Sequence, residues 1–141
     1  MIKEIIIWFE KHKRISFVFM LIILGIMWHF SSLPGGTVKI ARFSWTPIVY
    51  HFTIFFSFAF FFLATIIKKE NKKIKIFIAI LVSLIIAILD EIHQYFIPLR
   101  DASINDVFVD MLGVVSLIFI YFFIKNYKPI LKSSAFFRGR R

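Results

Sequence analysis

An all-α integral membrane bundle of four transmembrane helices follows from three observations on this chain. Of its 141 residues, 60% are hydrophobic and 20 are Phe, and the mean hydropathy of +0.83 is too high for an ordinary soluble domain. Four apolar runs each supply the ~20 residues a helix needs to cross the hydrocarbon. Lysine and arginine gather in blocks at the ends of those runs, which is the footprint of membrane topology. At this length one domain is the default, so residues 1–141 form a single membrane domain. Only a helix satisfies the backbone of such runs internally in lipid.

The first run covers residues 15–33. Its basic start resembles a signal peptide, but the apolar stretch is long and no small-x-small cleavage site follows, so a retained span is expected. Residues 2–9 are amphipathic and are expected to lie along the inner membrane surface. Glu10 and His12 read as surface residues. Ser31-Ser32-Leu33-Pro34-Gly35-Gly36 reads as a helix exit and turn.

The second run, residues 46–67, is rich in Phe and carries His51. The third, residues 74–96, keeps its polar residues near its far end, and Pro98 ends it. The fourth, residues 104–124, opens on Ser103 and Asp106, a variant of the capping box. Asp106 also complements the positive helix end. Gly113 permits close helix approach. A basic tail, residues 125–141, closes the chain.

Fifteen of the 18 Lys and Arg lie in the N-terminal segment, the loop between the second and third runs, and the tail. Only Lys39, Arg42 and Arg100 lie in the other two loops. The positive-inside rule then places both termini in the cytoplasm and the two sparse loops outside. The same distribution argues against nucleic acid as a partner despite the formal charge of +10, because no soluble basic surface remains to carry it. Cysteine is absent, which excludes disulfides and thiolate metal sites.

Residues 90–110 hold five of the eight acidic residues. At a rise of ~1.5 Å per residue, His29, His51, Asp90, Glu91 and Asp110 all lie roughly 6–9 Å below the outer edge of their helices. Four helices thus bring ionisable groups to one layer, and such groups usually face a bundle interior or a wet cavity. Asp90, His93 and Gln94 share a helix face, Glu91 shares one with Gln94, and Ser103, Asp106 and Asp110 form a stripe.

Each member has a structural reading beside the functional one. Ser103 and Asp106 fit a helix cap, His29 fits an interfacial histidine, and Arg100 fits a pair with Asp101, Asp106 or a carboxylate of the third run. That pair is either structural or a fork for phosphate. Carboxylates beside histidine can perform acid/base chemistry. His51, Glu91, His93 and Asp110 are also suitable divalent-metal ligands, but their spacing matches no strong metal motif and no metal is assigned. No serine-esterase elbow, phosphate loop or dinucleotide fingerprint is present, so neither a reaction class nor a cofactor follows from the residues.

With these motifs in view, the chain resembles the VanZ-like family of small membrane proteins. The resemblance rests on Asp90-Glu91-Ile92-His93-Gln94, Phe96-Ile97-Pro98-Leu99-Arg100, Ser103, Asp106 and Gly113, preceded by Ser31-Ser32-Leu33-Pro34-Gly35 and His51. It covers about residues 28–116. Leu99 stands where the family commonly has Gly, Asp110 where it has Asn, and Phe55 and Phe56 where a Tyr usually follows the histidine. The first departure bears on turn geometry, and the second adds a negative charge to the layer.

The resemblance implies a role at the bacterial cell envelope. The family's namesake is associated with low-level resistance to teicoplanin, a lipidated glycopeptide antibiotic. The expected function is therefore a protein of the bacterial cytoplasmic membrane whose outward-facing polar pocket binds or modifies an amphiphile, either a lipid-linked envelope component or a lipidated glycopeptide. Asp90, Glu91 and His93 form the acid/base or orienting set. Arg100 anchors an anionic head group, His51, Gln94, Ser103, Asp106 and Asp110 support the ligand, and Ser31 and Ser32 line the mouth. The alternative is a non-catalytic scaffold or partner subunit held together by the polar cluster. A proton or solute pathway needs polar groups through the whole thickness, and the inner halves of the second and third runs are almost purely apolar.

Overall fold

The four apolar runs become four long helices in a computed structural model that describes residues 1–35, 46–67 and 70–126. They are α2 (Lys13–Ser31), α3 (Thr46–Ile66), α4 (Lys72–Tyr95) and α5 (Ile104–Asn126), preceded by the short α1 (Ile2–Lys11). All described secondary structure is helical. Each of α2–α5 is long and apolar enough to cross a membrane, so the chain is a multi-pass membrane protein. Gly36, the loop with Lys39 and Arg42, Lys68 and Lys69, and the expected basic tail beyond Asn126 lie outside the described residues.

α3 lies at the centre, packed most extensively on α5 and α2, while α4 packs on α5 and α3. Lipid-like solvent gives no hydrophobic drive between helices, so close packing depends on small residues. Ala59, Ala64, Ala79, Ala87 and Gly113 supply them along the buried seams. At Gly113 the backbone of α5 lies against the Phe52 carbonyl and the Phe56 amide of α3, and an added Cβ meets the Phe52 oxygen. The large apolar residues left exposed on α2, α4 and α5, such as Phe77, Phe108 and Phe119, are the lipid-facing side of the same pattern.

The two ends of the bundle differ. At one end α1 turns back over the helices through a break at His12 (φ −97°, ψ 59°). No Gly or Pro marks that break. Ser16 stabilises it by donating its hydroxyl to the Phe9 carbonyl at 2.7 Å, one of the acceptors orphaned where α1 stops. Lys13 likewise donates to the Ile67 carbonyl just past α3 at 2.9 Å.

Glu10 corrects the expectation of a surface residue. It accepts from Tyr121 at 2.8 Å and from Lys125 at 2.7 Å, and Ile6 is buried beside Leu63, Ile76 and Tyr121. α1 is thus docked on the bundle through these contacts. His12 is exposed and stacks on Trp8. The other end carries the polar layer.

Candidate functional site at the polar end of the bundle

Helix periodicity decides which polar side chains turn inward. On α4, Asp90, Glu91 and Gln94 are buried, as are His51 on α3 and Asp110 on α5. Ser31 is buried at the end of α2. Ser32, His93, Arg100, Ser103 and Asp106 are half-buried around them. The structure therefore brings all eleven expected site residues to one end. His29, expected at the same depth, is exposed and its ring meets Phe30 edge-on. It stands apart from the cluster.

The contacts fall into two connected parts. In the first, His51 Nδ1 lies 3.0 Å from Asp110 Oδ1, joining α3 to α5. In the second, Gln94 donates to Asp90 Oδ2 at 2.7 Å and to Glu91 Oε1 at 3.4 Å. Glu91 Oε2 accepts the Ser103 backbone N–H at 2.7 Å, which ties α4 to the start of α5. Ser103 Oγ in turn accepts from the Asn105 N–H at 3.1 Å. The Ser103 cap is real, and a carboxylate of another helix holds it in place. Asp106 and Glu91 lie close enough to His51 for all three to interact electrostatically.

Arg100 acts as a clasp. Its Nε donates to the Leu33 carbonyl at 3.1 Å, Nη1 to Gln94 Oε1 at 3.3 Å, and Nη2 to the Phe30 carbonyl. The last carbonyls of a helix lack partners within the helix and carry its negative pole, so a guanidinium there is doubly favoured. None of the carboxylates expected to pair with Arg100 is its hydrogen-bond partner. Three of its five N–H donors instead hold the end of α2 to α4.

The same two segments meet again beside it. The Gly35 N–H donates to the Pro98 carbonyl at 3.0 Å, and Gly35 lies so close to the Leu99 backbone that a Cβ has no room. Ser32 gives its only hydroxyl proton to the Trp28 carbonyl at 2.7 Å. The 3.0 Å contact between Ser32 Oγ and His93 Nε2 therefore has the imidazole N–H as its donor. Trp28 stacks on that imidazole with centroids 4.2 Å apart. Residues 31–35 and 96–100, distant in sequence, form one turn-on-turn unit.

Two features of this end suit a ligand. Asp90 Oδ1 and Asp110 Oδ2 are buried without a hydrogen-bond partner, although Asp90 is only 3% exposed and Asp110 is 0% exposed. A cavity of about 330 Å³ also lies between α4 and α5, lined by Ile88, Ile92, Tyr95, Phe96, Ile104 and Val107, with Glu91 and Ser103 as its polar wall.

A family model described as VanZ/LLP1 matches residues 5–125. The chain belongs to the VanZ/LLP1 family. No curated protein and no solved structure matches it. The match takes in the whole of α2, α3 and α4, most of α1 and α5, and both halves of the turn-on-turn unit, and the motifs that carried the VanZ resemblance include the segments that pack together there.

Two of the three departures from the VanZ pattern are now physical. Leu99 adopts the left-handed conformation, φ 59°, that glycine takes without strain. An L-residue there carries backbone strain that a glycine would not. Asp110 supplies the carboxylate that meets His51. Tyr50 is a site neighbour that the VanZ motifs do not include. Its hydroxyl is buried without a partner, and its ring meets those of Phe30 and His51 edge-on. Its position beside His51, at the same depth, was the available signal.

Proposed function

We propose that this VanZ/LLP1 protein binds or modifies an amphiphile of the bacterial cell envelope at its polar end. The ligand class is a lipid-linked envelope component or a lipidated glycopeptide such as teicoplanin. The basic blocks of the sequence favour both termini in the cytoplasm, and in that orientation the polar end faces outward. The observation that carries the reading is the cavity between α4 and α5, whose apolar walls end at Glu91 and Ser103. An amphiphile needs that pairing, with its chain on Ile92, Phe96 and Ile104 and its polar group at the buried layer. The slot lies on a face whose residues are exposed in the structure, so entry is lateral, from the leaflet.

Within this reading Asp90, Glu91 and His93 orient the polar group or exchange protons with it. His51, Gln94, Ser103, Asp106 and Asp110 set their positions, Ser31 and Ser32 underlie the mouth, and Arg100 brings positive charge there while clasping α2.

The test uses purified protein in nanodiscs with fluorescent teicoplanin and a fluorescent polyprenyl phosphate as probes. Saturable binding of either is expected, weakened at least tenfold by Ile104→Trp, which fills the slot from an exposed position. Folded wild-type protein that shows no saturable binding of either probe overturns the reading. A Glu91→Gln protein that no longer folds, together with absent binding, favours instead a scaffold whose polar cluster is structural.

A further inference from the structure

We propose that the polar end of the bundle is a site for one first-row divalent cation, Zn²⁺ or Mn²⁺, with His51, Glu91 and Asp106 as protein ligands and Asp110 as the group that orients His51. One ligand atom from each of the three residues lies within 4.8 Å of the others. Ligand atoms of a tetrahedral site at ~2.1 Å from the metal stand about 3.4 Å apart, so binding draws the most separated pair in by up to roughly 1.4 Å on that geometry. The three residues come from α3, α4 and α5, so the ion is gripped between helices.

Asp110 is the second observation. Its Oδ1 lies 3.0 Å from His51 Nδ1, which leaves Nε2 as the ring nitrogen that can ligate. A carboxylate behind the distal nitrogen is the usual support of a metal-bound histidine, because it fixes the tautomer and raises ligand basicity. Asp110 is fully buried, and its Oδ2 has no partner. Asp90 Oδ1 is similarly left bare nearby.

Charge balance points the same way. Glu91 and Asp110 are each near enough to interact with both Asp90 and Asp106. The neighbouring cation, Arg100, is hydrogen-bonded to two carbonyls and to Gln94. Packed carboxylates out of water need added protons or a cation. One imidazole with two carboxylates is a donor set for Zn²⁺ or Mn²⁺. His93 lies outside the group whose ligand atoms come together, and its Nε2–H is given to Ser32. Glu91 also lines the slot, so the ion sits at the slot's polar end. That it meets the amphiphile's head group rests on the reading above, whereas the site itself does not.

The experiment is metal binding without any lipid ligand. Full-length protein in detergent is stripped with chelator and titrated with Zn²⁺ by calorimetry and with Mn²⁺ by electron paramagnetic resonance. One ion per chain is expected. Asp106→Asn, at a half-buried position that leaves the bundle folded by circular dichroism, weakens binding at least tenfold. Asp110→Asn weakens it 10–100-fold. His12→Ala and His29→Ala, on exposed rings, leave it unchanged. Folded wild-type protein that binds neither ion, or binding that survives Asp106→Asn and Asp110→Asn but is lost in the exposed-histidine variants, overturns the site.

Discussion

His51 on α3 and Asp110 on α5 meet at 3.0 Å one helical turn from Gly113, where the same two helices touch backbone to backbone. The polar pair and the close approach are one arrangement. Without a Cβ at Gly113, α5 comes near enough to α3 for a short Asp side chain to reach the imidazole. A substitution at either point is therefore felt at the other.

Gly113→Ala is the direct test of that coupling. The added Cβ meets the Phe52 carbonyl, which is helix backbone and cannot rotate away. Overpacking of this kind costs about 1–3 kcal/mol, seen as a fall in thermal stability in detergent. Gly25→Ala is the control, because nothing lies within 4 Å of its Cβ position. It should be neutral or stabilising by up to ~1 kcal/mol through helix propensity. Equal effects of the two substitutions would remove the argument for close approach.

The His51–Asp110 pair should show measurable coupling of its own. Interhelical hydrogen bonds in membranes average ~0.6 kcal/mol in double-mutant cycles, with a maximum of ~1.7. This pair is fully buried and ionisable, so a value near the upper end is expected from the cycle His51→Ala, Asp110→Ala and the double variant. A coupling within error of zero would mean that the contact does no work in the fold.

The spans were legible because lipid imposes a simple code, an apolar run of fixed length between basic blocks. The expected ends agree with α2–α5 to within two residues. That His51, Asp90, Glu91 and Asp110 come to one end of the bundle followed from the same code. The break at His12 did not, since Ser16 rather than Gly or Pro stabilises it. Nor did the partners that Glu10 finds in Tyr121 and Lys125, and Arg100 in Phe30 and Leu33, because they are far away in the sequence. Contacts that distant leave no period in the sequence, and two of the three acceptors of Arg100 are backbone carbonyls with no residue signature.

Arg100→Lys should therefore fail as a conservative change. The guanidinium reaches Leu33, Phe30 and Gln94 through three different nitrogens, and a lysine ammonium is a compact point charge without that fork. Losing charged hydrogen bonds costs about 1.5–3 kcal/mol. Hydrogen exchange should quicken in the last turn of α2, while the start of α2 near Lys13 stays protected. Exchange that rises uniformly along α2 would argue for global destabilisation in place of a lost clasp.

Tyr121→Phe isolates the docking of α1. It removes the 2.8 Å hydrogen bond to Glu10 and keeps the ring that packs beside Ile6 and Leu63. The Lys125–Glu10 pair remains. A loss of ~1 kcal/mol, read as faster exchange or proteolysis confined to residues 2–11, is expected. Unchanged protection of α1 would show that the apolar contacts alone hold it.

Leu99→Gly is expected to stabilise the protein. Leu99 holds a left-handed backbone conformation at φ 59°, which costs an L-residue roughly 1–2 kcal/mol. Its side chain is 86% exposed, so little packing is lost on truncation. The greater freedom of glycine in the unfolded chain takes back about 0.4–1 kcal/mol, leaving a net gain of roughly 0–1.6 kcal/mol as the difference of those two terms. The gain should appear as a higher midpoint of thermal unfolding with no change at the polar layer, because the Arg100 N–H to Ile97 carbonyl bond at 3.2 Å already sets the turn. Destabilisation by Leu99→Gly would mean that the leucine side chain makes a contact in the membrane worth more than the strain it imposes.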